Sequence, residues 1–264
     1  MPNTVYDNFY LANEVEDQFN SHLDLAQFCV VDNSLEGTPG MKKIINVYSA
    51  TSGTEKLAMG AGNTKSIEVS HTPTPYEILL AQTRFEYYDE EAMKDPNLVP
   101  VGMKRAGSDL FNTVNGDIYA EFLKTTQEVE VSAYNFDAFV DARAQLVIEN
   151  LDMEIFGLVN LKDMAKVRKA LKDDLKYVEA FARTGYLGTV GSINLYEKKD
   201  AVEGTIAGGI RGAVTLFNKK GIEIEQPPRD SGDANIRKNT IFARKYYLAA
   251  LTDATKAFKI KLTA

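Results

Sequence analysis

The 264-residue chain carries 30 Lys+Arg against 37 Asp+Glu, a formal net charge of −7, and is 44% hydrophobic and 25% charged. These are ordinary globular proportions, and a chain of this length builds a sizeable core without staples; one cysteine, Cys29, and two histidines, His22 and His71, exclude an internal disulfide and any metal centre dominated by Cys or His. No apolar run approaches the ~20 residues of a membrane span, the first residues lack the basic and apolar regions of a signal peptide, and the acidic balance argues against a grip on nucleic acid through phosphate neutralisation; a reducing cytosol is the expected setting.

In chain order, residues 1–40 are aromatic and acidic. Phe9, Tyr10, Val15, Phe19 and Leu23 are spaced for one short amphipathic helix around 12–22, and Gly37, Pro39 and Gly40 then break the chain. So many aromatics ahead of any core element predict an arm laid on a neighbouring molecule. Over 41–88 the pattern alternates: Ile45 and Val47, Ile67 and Val69, Ile78 and Leu80, with a turn-rich tip at Gly60-Ala61-Gly62-Asn63-Thr64. This predicts a long hairpin, and a two-stranded ribbon is marginally stable in water unless it has something to lie on.

Asp95-Pro96-Asn97 is a helix-start signal, followed by Met103, Ala106, Leu110, Val114, Ile118 and Phe122 at spacings of three and four. A helix over 97–123 would run ~40 Å, with Pro100 harmless in its first turn. Asn135 reads as the cap of a second helix with Phe136, Val140, Ala144, Val147 and Leu151 inward. A strand follows at 155–159. Asn160 then caps a third helix that has a carboxylate, Asp163, at its third position and Met164, Val167, Leu171, Leu175, Val178 and Phe181 inward. Shorter strands are expected at 192–196, 213–218 and 222–225, a loop at 227–233, and two last strands at 241–251 and 257–262, with Phe258, Ile260 and Leu262 on one face of the final one.

No residue set completes a catalytic signature. Gly204, Gly208, Gly209 and Gly212 match neither glycine-rich nucleotide fingerprint and read as a flexible loop or strand turn. The lysines of 162–179 alternate with Asp163, Asp173, Asp174 and Glu179, as on a solvated helix face. Asp89, Glu90 and Glu91 lack a second ligand group at metal spacing. Cys29 sits in the apolar run Leu25-Ala26-Gln27-Phe28-Cys29-Val30-Val31, which suits an inert thiol. The arm and the ribbon are the two parts without a partner inside the chain, and such parts imply contacts between subunits.

The order of these elements is similar to that of the major capsid proteins of tailed bacteriophages. The resemblance also rests on Asp32-Asn33-Ser34-Leu35, Gly40-Met41-Lys42-Lys43, Leu57-Ala58-Met59-Gly60, Gly62-Asn63-Thr64, Tyr87-Tyr88-Asp89, the run 168–177, Arg183-Thr184-Gly185-Tyr186 and the run 250–256. It implies the α+β Hong Kong ninety-seven type capsid fold, with an N-terminal arm (1–40), an extended β-hairpin loop (41–85), a peripheral domain with a long spine helix (86–134), an axial domain (135–235) and return strands of the peripheral domain (236–264). It further implies a structural subunit, not an enzyme, that binds no cofactor or metal and self-assembles in the host cytoplasm into pentamers and hexamers of an icosahedral shell. That shell would enclose double-stranded DNA without sequence-specific binding, with no membrane partner, alongside portal and decoration proteins. There is no long charged helical segment at the N-terminus, so any scaffold is expected to be a separate protein, or assembly to need none.

On this resemblance Phe9, Tyr10, Phe19, Leu57, Met59 and Ile67 are the expected subunit contacts, and removal of residues 1–35 is expected to leave soluble subunit or capsomers but to abolish closed shells. Covalent locking through Lys56 or Lys65 and Asn235 or Asn239 is expected to be absent. The alternatives are a cargo-holding compartment shell of the same fold and, from another class, a soluble α/β enzyme or ligand-binding protein using the acids around Asp89.

Overall fold

The computed structural model describes residues 23–146, 153–172 and 188–263. The short helix expected at 12–22, and the inward positions Val147, Leu151, Leu175, Val178 and Phe181, lie outside them. Residues Pro39–Ile78 form one compact unit and the rest of the described chain another. The first of these is a ribbon of β2 (Lys42–Ala50) and β3 (Val69–Glu77), paired antiparallel from Lys42 opposite Glu77 to Ala50 opposite Val69.

The larger unit opens on a 3-10 turn, Leu25–Phe28, capped by the Asp24 side chain, and β1 (Val30–Asp32). After the ribbon come β4 (Leu79–Tyr88), α1 (Asp89–Lys94), α2 (Leu98–Leu123), β5 (Glu128–Val131), α3 (Phe136–Gln145), β6 (Ile155–Val159) and α4 (Leu161–Ala170). Then follow β7 (Thr189–Val190), β8 (Ile193–Glu197), β9 (Thr205–Ile210), β10 (Val214–Glu225), α5 (Ser231–Asn235), β11 (Lys238–Leu251) and β12 (Ala257–Leu262). They make a four-stranded sheet in the order β1-β10-β11-β4 and a six-stranded mixed sheet in the order β5-β12-β9-β6-β8-β7.

The pairing groups the chain differently from the sequence boundaries. β10 pairs β11, and β12 pairs β9 and β5 in the other sheet. Leu79–Tyr88 pairs β11, so the ribbon unit stops at Ile78 rather than at residue 85. Nor do residues 23–38 stand off as an arm: Leu25 and Cys29 are fully buried, the Leu25 amide donates to Asn115 Oδ1 at 3.1 Å, and β1 runs parallel to β10. Each buried side chain of that size is worth ~1.5–3 kcal/mol, so removing residues 1–35 would strip core from the body. The soluble truncation expected from sequence is corrected on this point.

α2 forms because its apolar residues recur on one stripe: Ala106, Leu110, Val114, Ile118 and Phe122 are all buried. Pro100 occupies its third position, where an N–H has no intrahelical acceptor. Val114, Ile118 and Phe122 of the stripe pack with Leu25, Phe28, Phe156, Leu158 and Tyr247 into one core, in which Phe156 stacks on Phe28 (ring centroids 4.4 Å) and meets Phe122 edge-on (5.3 Å), while Ala106 and Leu110 pack on Ala243. A second core joins Phe139, Ala142 and Leu146 to Met164, Val167, Ile193, Phe258 and Ile260. Asn135 caps α3 as the sequence indicates, accepting from the Ala138 amide at 3.1 Å. The buried face, however, is Ala138, Phe139 and Ala142, while Phe136 and Val140 are exposed.

Two further readings change. Residues 204–212 are not a flexible loop: β9 is a central, buried strand, and a Cβ on Gly208 would lie 2.0 Å from the Phe156 carbonyl oxygen, and one on Gly209 2.2 Å from that of Lys256. These glycines are the condition for two neighbouring strands to approach; positive φ at Gly204 (81°) and Gly212 (119°) makes the turns at either end. Residues 214–225 are one strand, β10, whose register shifts around Lys220 where the sequence had suggested a break.

Candidate functional site

The expected contact residues divide between two places. Phe9, Tyr10 and Phe19 lie outside the described residues. Leu57, Met59 and Ile67 all fall in the 51–68 segment that joins β2 to β3, and each is at least half exposed. Polar bonds hold that segment. The Glu55 carboxylate accepts from the Thr64 amide at 2.8 Å and from the Thr64 hydroxyl at 2.9 Å, Asn63 donates to the Gly53 carbonyl at 3.0 Å, and Gly60 takes the left-handed φ of +83° a tip requires. The bonds from Thr64 hold the Glu55 carboxyl below the usual carboxylate range. The tip thus spends its polar groups on itself and turns apolar ones outward.

Two residues on the strands extend this surface, Ile44 and Val69, both more than three-fifths exposed. Val69 was legible in the alternation with Ile67, and Ile44 stands beside Ile45, so that whichever face a partner takes, one isoleucine of the pair points to the other. Bare apolar, β-branched side chains of this kind offer area for association rather than polar groups for chemistry.

The acidic triplet at α1 is engaged within the chain. Asp89 accepts from Arg229 and, at 2.8 Å, from the Asn239 amide; Glu90 pairs with Arg237; and Glu91 caps α1 by accepting from the Tyr88 amide at 3.1 Å. The Arg229 guanidinium, then Asn239, hold the Asp89 carboxyl below its ordinary value. Among the described residues no three His, Cys, Asp or Glu side chains stand together as a metal site. Burial pushes the Cys29 thiol up to about 12, so it stays protonated and unreactive at neutral pH. The α4 lysines pair as a solvated face would, but largely with other segments: Lys162 with Glu203, Lys166 with Asp163 and Glu203, Arg168 with Glu197.

One cleft of the six-stranded sheet is lined by Met164, Arg168, Thr189, Asn194, Tyr196 and Glu197. Its polar groups are also spent locally, Arg168 on Glu197 at 3.3 Å and both Asn194 and Tyr196 on Glu154. They do not converge on a place where a substrate atom would sit.

No protein-family model matches the sequence, and no curated protein matches it. Solved structures do match over nearly its whole length. The chain is similar to that of Gordonia phage Cozz (10% identity, 100% of this chain and 92% of that one, TM-score 0.71), to that of Mycobacterium phage Che8 (16% identity, 98% and 96%, TM-score 0.70) and to the capsid of the cyanophage P-SCSP1u (14% identity, 89% and 86%, TM-score 0.68). The fold is the α+β Hong Kong ninety-seven type capsid fold expected from the sequence.

Proposed function

We propose that this chain is a major capsid protein, a structural subunit that self-assembles into the icosahedral shell of a tailed-phage head. The observation that carries the reading is coverage: the likeness runs nearly end to end in both chains. The local chemistry agrees with it, because the polar clusters at Asp89, Glu55 and Asp163 are closed by partners within the chain while the ribbon presents bare apolar residues.

In this reading α2 is the spine helix and, with the four-stranded sheet, forms the peripheral domain; the six-stranded sheet with α3 and α4 forms the axial domain that gathers at the centre of each pentamer or hexamer; Pro39–Ile78 is the extended loop. Leu57, Met59 and Ile67, with Phe9, Tyr10 and Phe19 of the first 22 residues, make contacts between subunits. The genome is held by confinement. With −7 charges per subunit, the protein repels phosphate within the ~8 Å Debye length of physiological salt. Portal, decoration and separate scaffolding proteins are the partners such a head takes.

Negative-stain microscopy and sedimentation of the purified protein test the proposal. Closed isometric particles are expected; a monomer or small oligomer at all concentrations would return the chain to the class of soluble ligand-binding proteins. Particles that carry protein cargo and no DNA when made in their native host would favour the compartment shell instead.

A further inference from the structure

The backbone of the ribbon has a polarity that its side chains do not show. Two hydrogen bonds just beyond the ends of the β2–β3 ladder fix its phase: the Ile78 amide donates to the Met41 carbonyl at 2.9 Å, and the Thr51 amide to the Glu68 carbonyl at 3.0 Å. Residue 41 stands opposite 78 and 51 opposite 68 in the same unshifted register that pairs Lys42 with Glu77 and Ala50 with Val69. In an antiparallel pair, residues that exchange both bonds alternate with residues whose peptide groups turn away from the partner. The odd-numbered residues of β2 therefore bond to β3, and Lys42, Ile44 and Asn46 turn their N–H and C=O groups to the outer edge.

The residues opposite these are the ones that turn outward from β3. Opposite Ile44 is Pro75, and opposite Asn46 is Pro73. Both prolines thus sit where their missing N–H costs the ribbon nothing, and both remove a donor from the outer edge of β3 at its middle. Paired prolines two residues apart close an edge to further strands. The outer edge of β2 keeps every donor, and among the described residues no strand covers it.

We infer that the outer edge of β2 is the strand-pairing edge of this chain, that its occupant is an extended segment of a second copy, and that Pro73 and Pro75 forbid the same pairing on β3. The inference rests on the shell reading above and deepens it by fixing which side of the ribbon a neighbour takes. Charge favours a second copy as the occupant. The ribbon unit holds Lys42, Lys43, Lys56 and Lys65 against Glu55, Glu68 and Glu77, one positive charge in excess, whereas the chain as a whole is at −7 and its first forty residues hold seven Asp or Glu and no Lys or Arg. A neighbouring copy is attracted to this unit while the remainder of the two chains repel. Addition of a strand along β2 would also convert a marginal two-stranded ribbon into a three-stranded sheet, the smallest that is commonly stable.

Hydrogen exchange on the wild-type protein tests this without mutation, in dilute subunits and in assembled particles. The amides of Ile44 and Asn46 are expected to slow by at least about tenfold on assembly, while Ile45, inside the ladder, is protected in both states. Particles in which Ile44 and Asn46 exchange as fast as in the subunit would overturn the inference and leave the shell reading standing. A protein that forms no particles would overturn the shell reading, and this inference with it. Substitution supplies the second arm: Asn46→Pro, which puts a proline ring opposite Pro73, is expected to cut particle yield at least about tenfold with Ile45 still protected in the subunit, and Asn46→Ala to assemble as wild type. Equal yields from both variants would contradict the inference.

Discussion

The buried carboxylate of Asp163 accepts the Gly204 amide at 2.6 Å, tying the first turn of α4 to the turn that enters β9. Its other oxygen accepts from Lys166 at 2.8 Å. In sequence, Asp163 reads as the third residue of a capping box that would bond back to Asn160. In the structure Asn160 caps the helix alone, through the Lys162 amide, and Asp163 reaches across the fold to a left-handed glycine.

Asp163→Ala removes the acceptor of the part-buried Gly204 amide, which costs ~1–3 kcal/mol where water does not replace it. A loss of about 2 kcal/mol in the urea unfolding of the free subunit is the expected outcome, with Asp163→Asn, which keeps an acceptor, losing less. An unchanged midpoint for both variants would show that the turn before β9 does not depend on this bond.

Glycine substitutions should separate by place. Gly208→Ala drives a methyl into the Phe156 carbonyl inside the six-stranded sheet, where neither strand can yield alone; destabilisation of at least ~3 kcal/mol, seen as insoluble expression or a collapsed melting temperature, is expected. Gly116→Ala lies in the exposed turn of α2 with nothing within 4 Å of the new carbon, and should stabilise the subunit by ~0.5–1 kcal/mol, because alanine is the better helix former.

These contrasts also show what the sequence made legible. α2, β6 and β12 were read with their faces or limits nearly as found, since each has a single apolar pattern and no competing one. α3 was misread because it has two stripes. Phe136 and Val140 are larger than Ala138 and Ala142, yet the alanines face the core, where α3 approaches closely enough that a Cβ on Gly191 would sit 3.1 Å from Phe139. β9 was missed because glycine lowers strand propensity, and the reason for the glycines, a carbonyl of the adjacent strand, comes from residues some fifty positions away. The apolar run at 25–31 is plain in the sequence, but its place in the body is set by long-range partners, the bond from Leu25 to Asn115 and the pairing of β1 with β10. The apolar residues that the ribbon exposes are legible in the sequence; the outward turn of Pro73 and Pro75 is not, because a proline's orientation in a ladder depends on register.

Asp89 makes the junction of β4, α1 and β11 sensitive to acid. Its folded pKa is depressed, chiefly by Arg229 and then by Asn239, so its contribution is fully present above the unfolded value of ~3.9 and is lost as pH falls through the lower folded value. Arg229→Gln should therefore be less stable than wild type at pH 7, with the gap closing as both proteins are titrated below pH ~4. Unfolding measured from pH 7 to 2 checks this; a gap that stays constant with pH would mean that Arg229 acts through packing and not through the Asp89 charge.

The last expectation concerns covalent locking between subunits. An isopeptide bond between a lysine amine and an asparagine side chain expels ammonia, and it needs an uncharged amine, an asparagine free to be attacked and a carboxylate to move the proton, all withdrawn from water. The structure separates these requirements. Lys56 and Lys65 both belong to the polar tip segment and are exposed, Lys65 two-thirds so and 4.0 Å from Glu55, so neither amine is withdrawn from water. Asn239 is buried and committed: it accepts from Arg229 at 2.8 Å and donates to Asp89 at 2.8 Å, so an attacking amine would have to displace a charged network first. Asn235 is the last residue of the five-residue helix α5 and is exposed, so it too is not withdrawn from water. Boiled mature particles should therefore run on a denaturing gel as a single band at 29.3 kDa. A ladder of multimers that survives reductant would refute the expectation, and loss of that ladder in Lys56→Arg or Lys65→Arg would identify the amine.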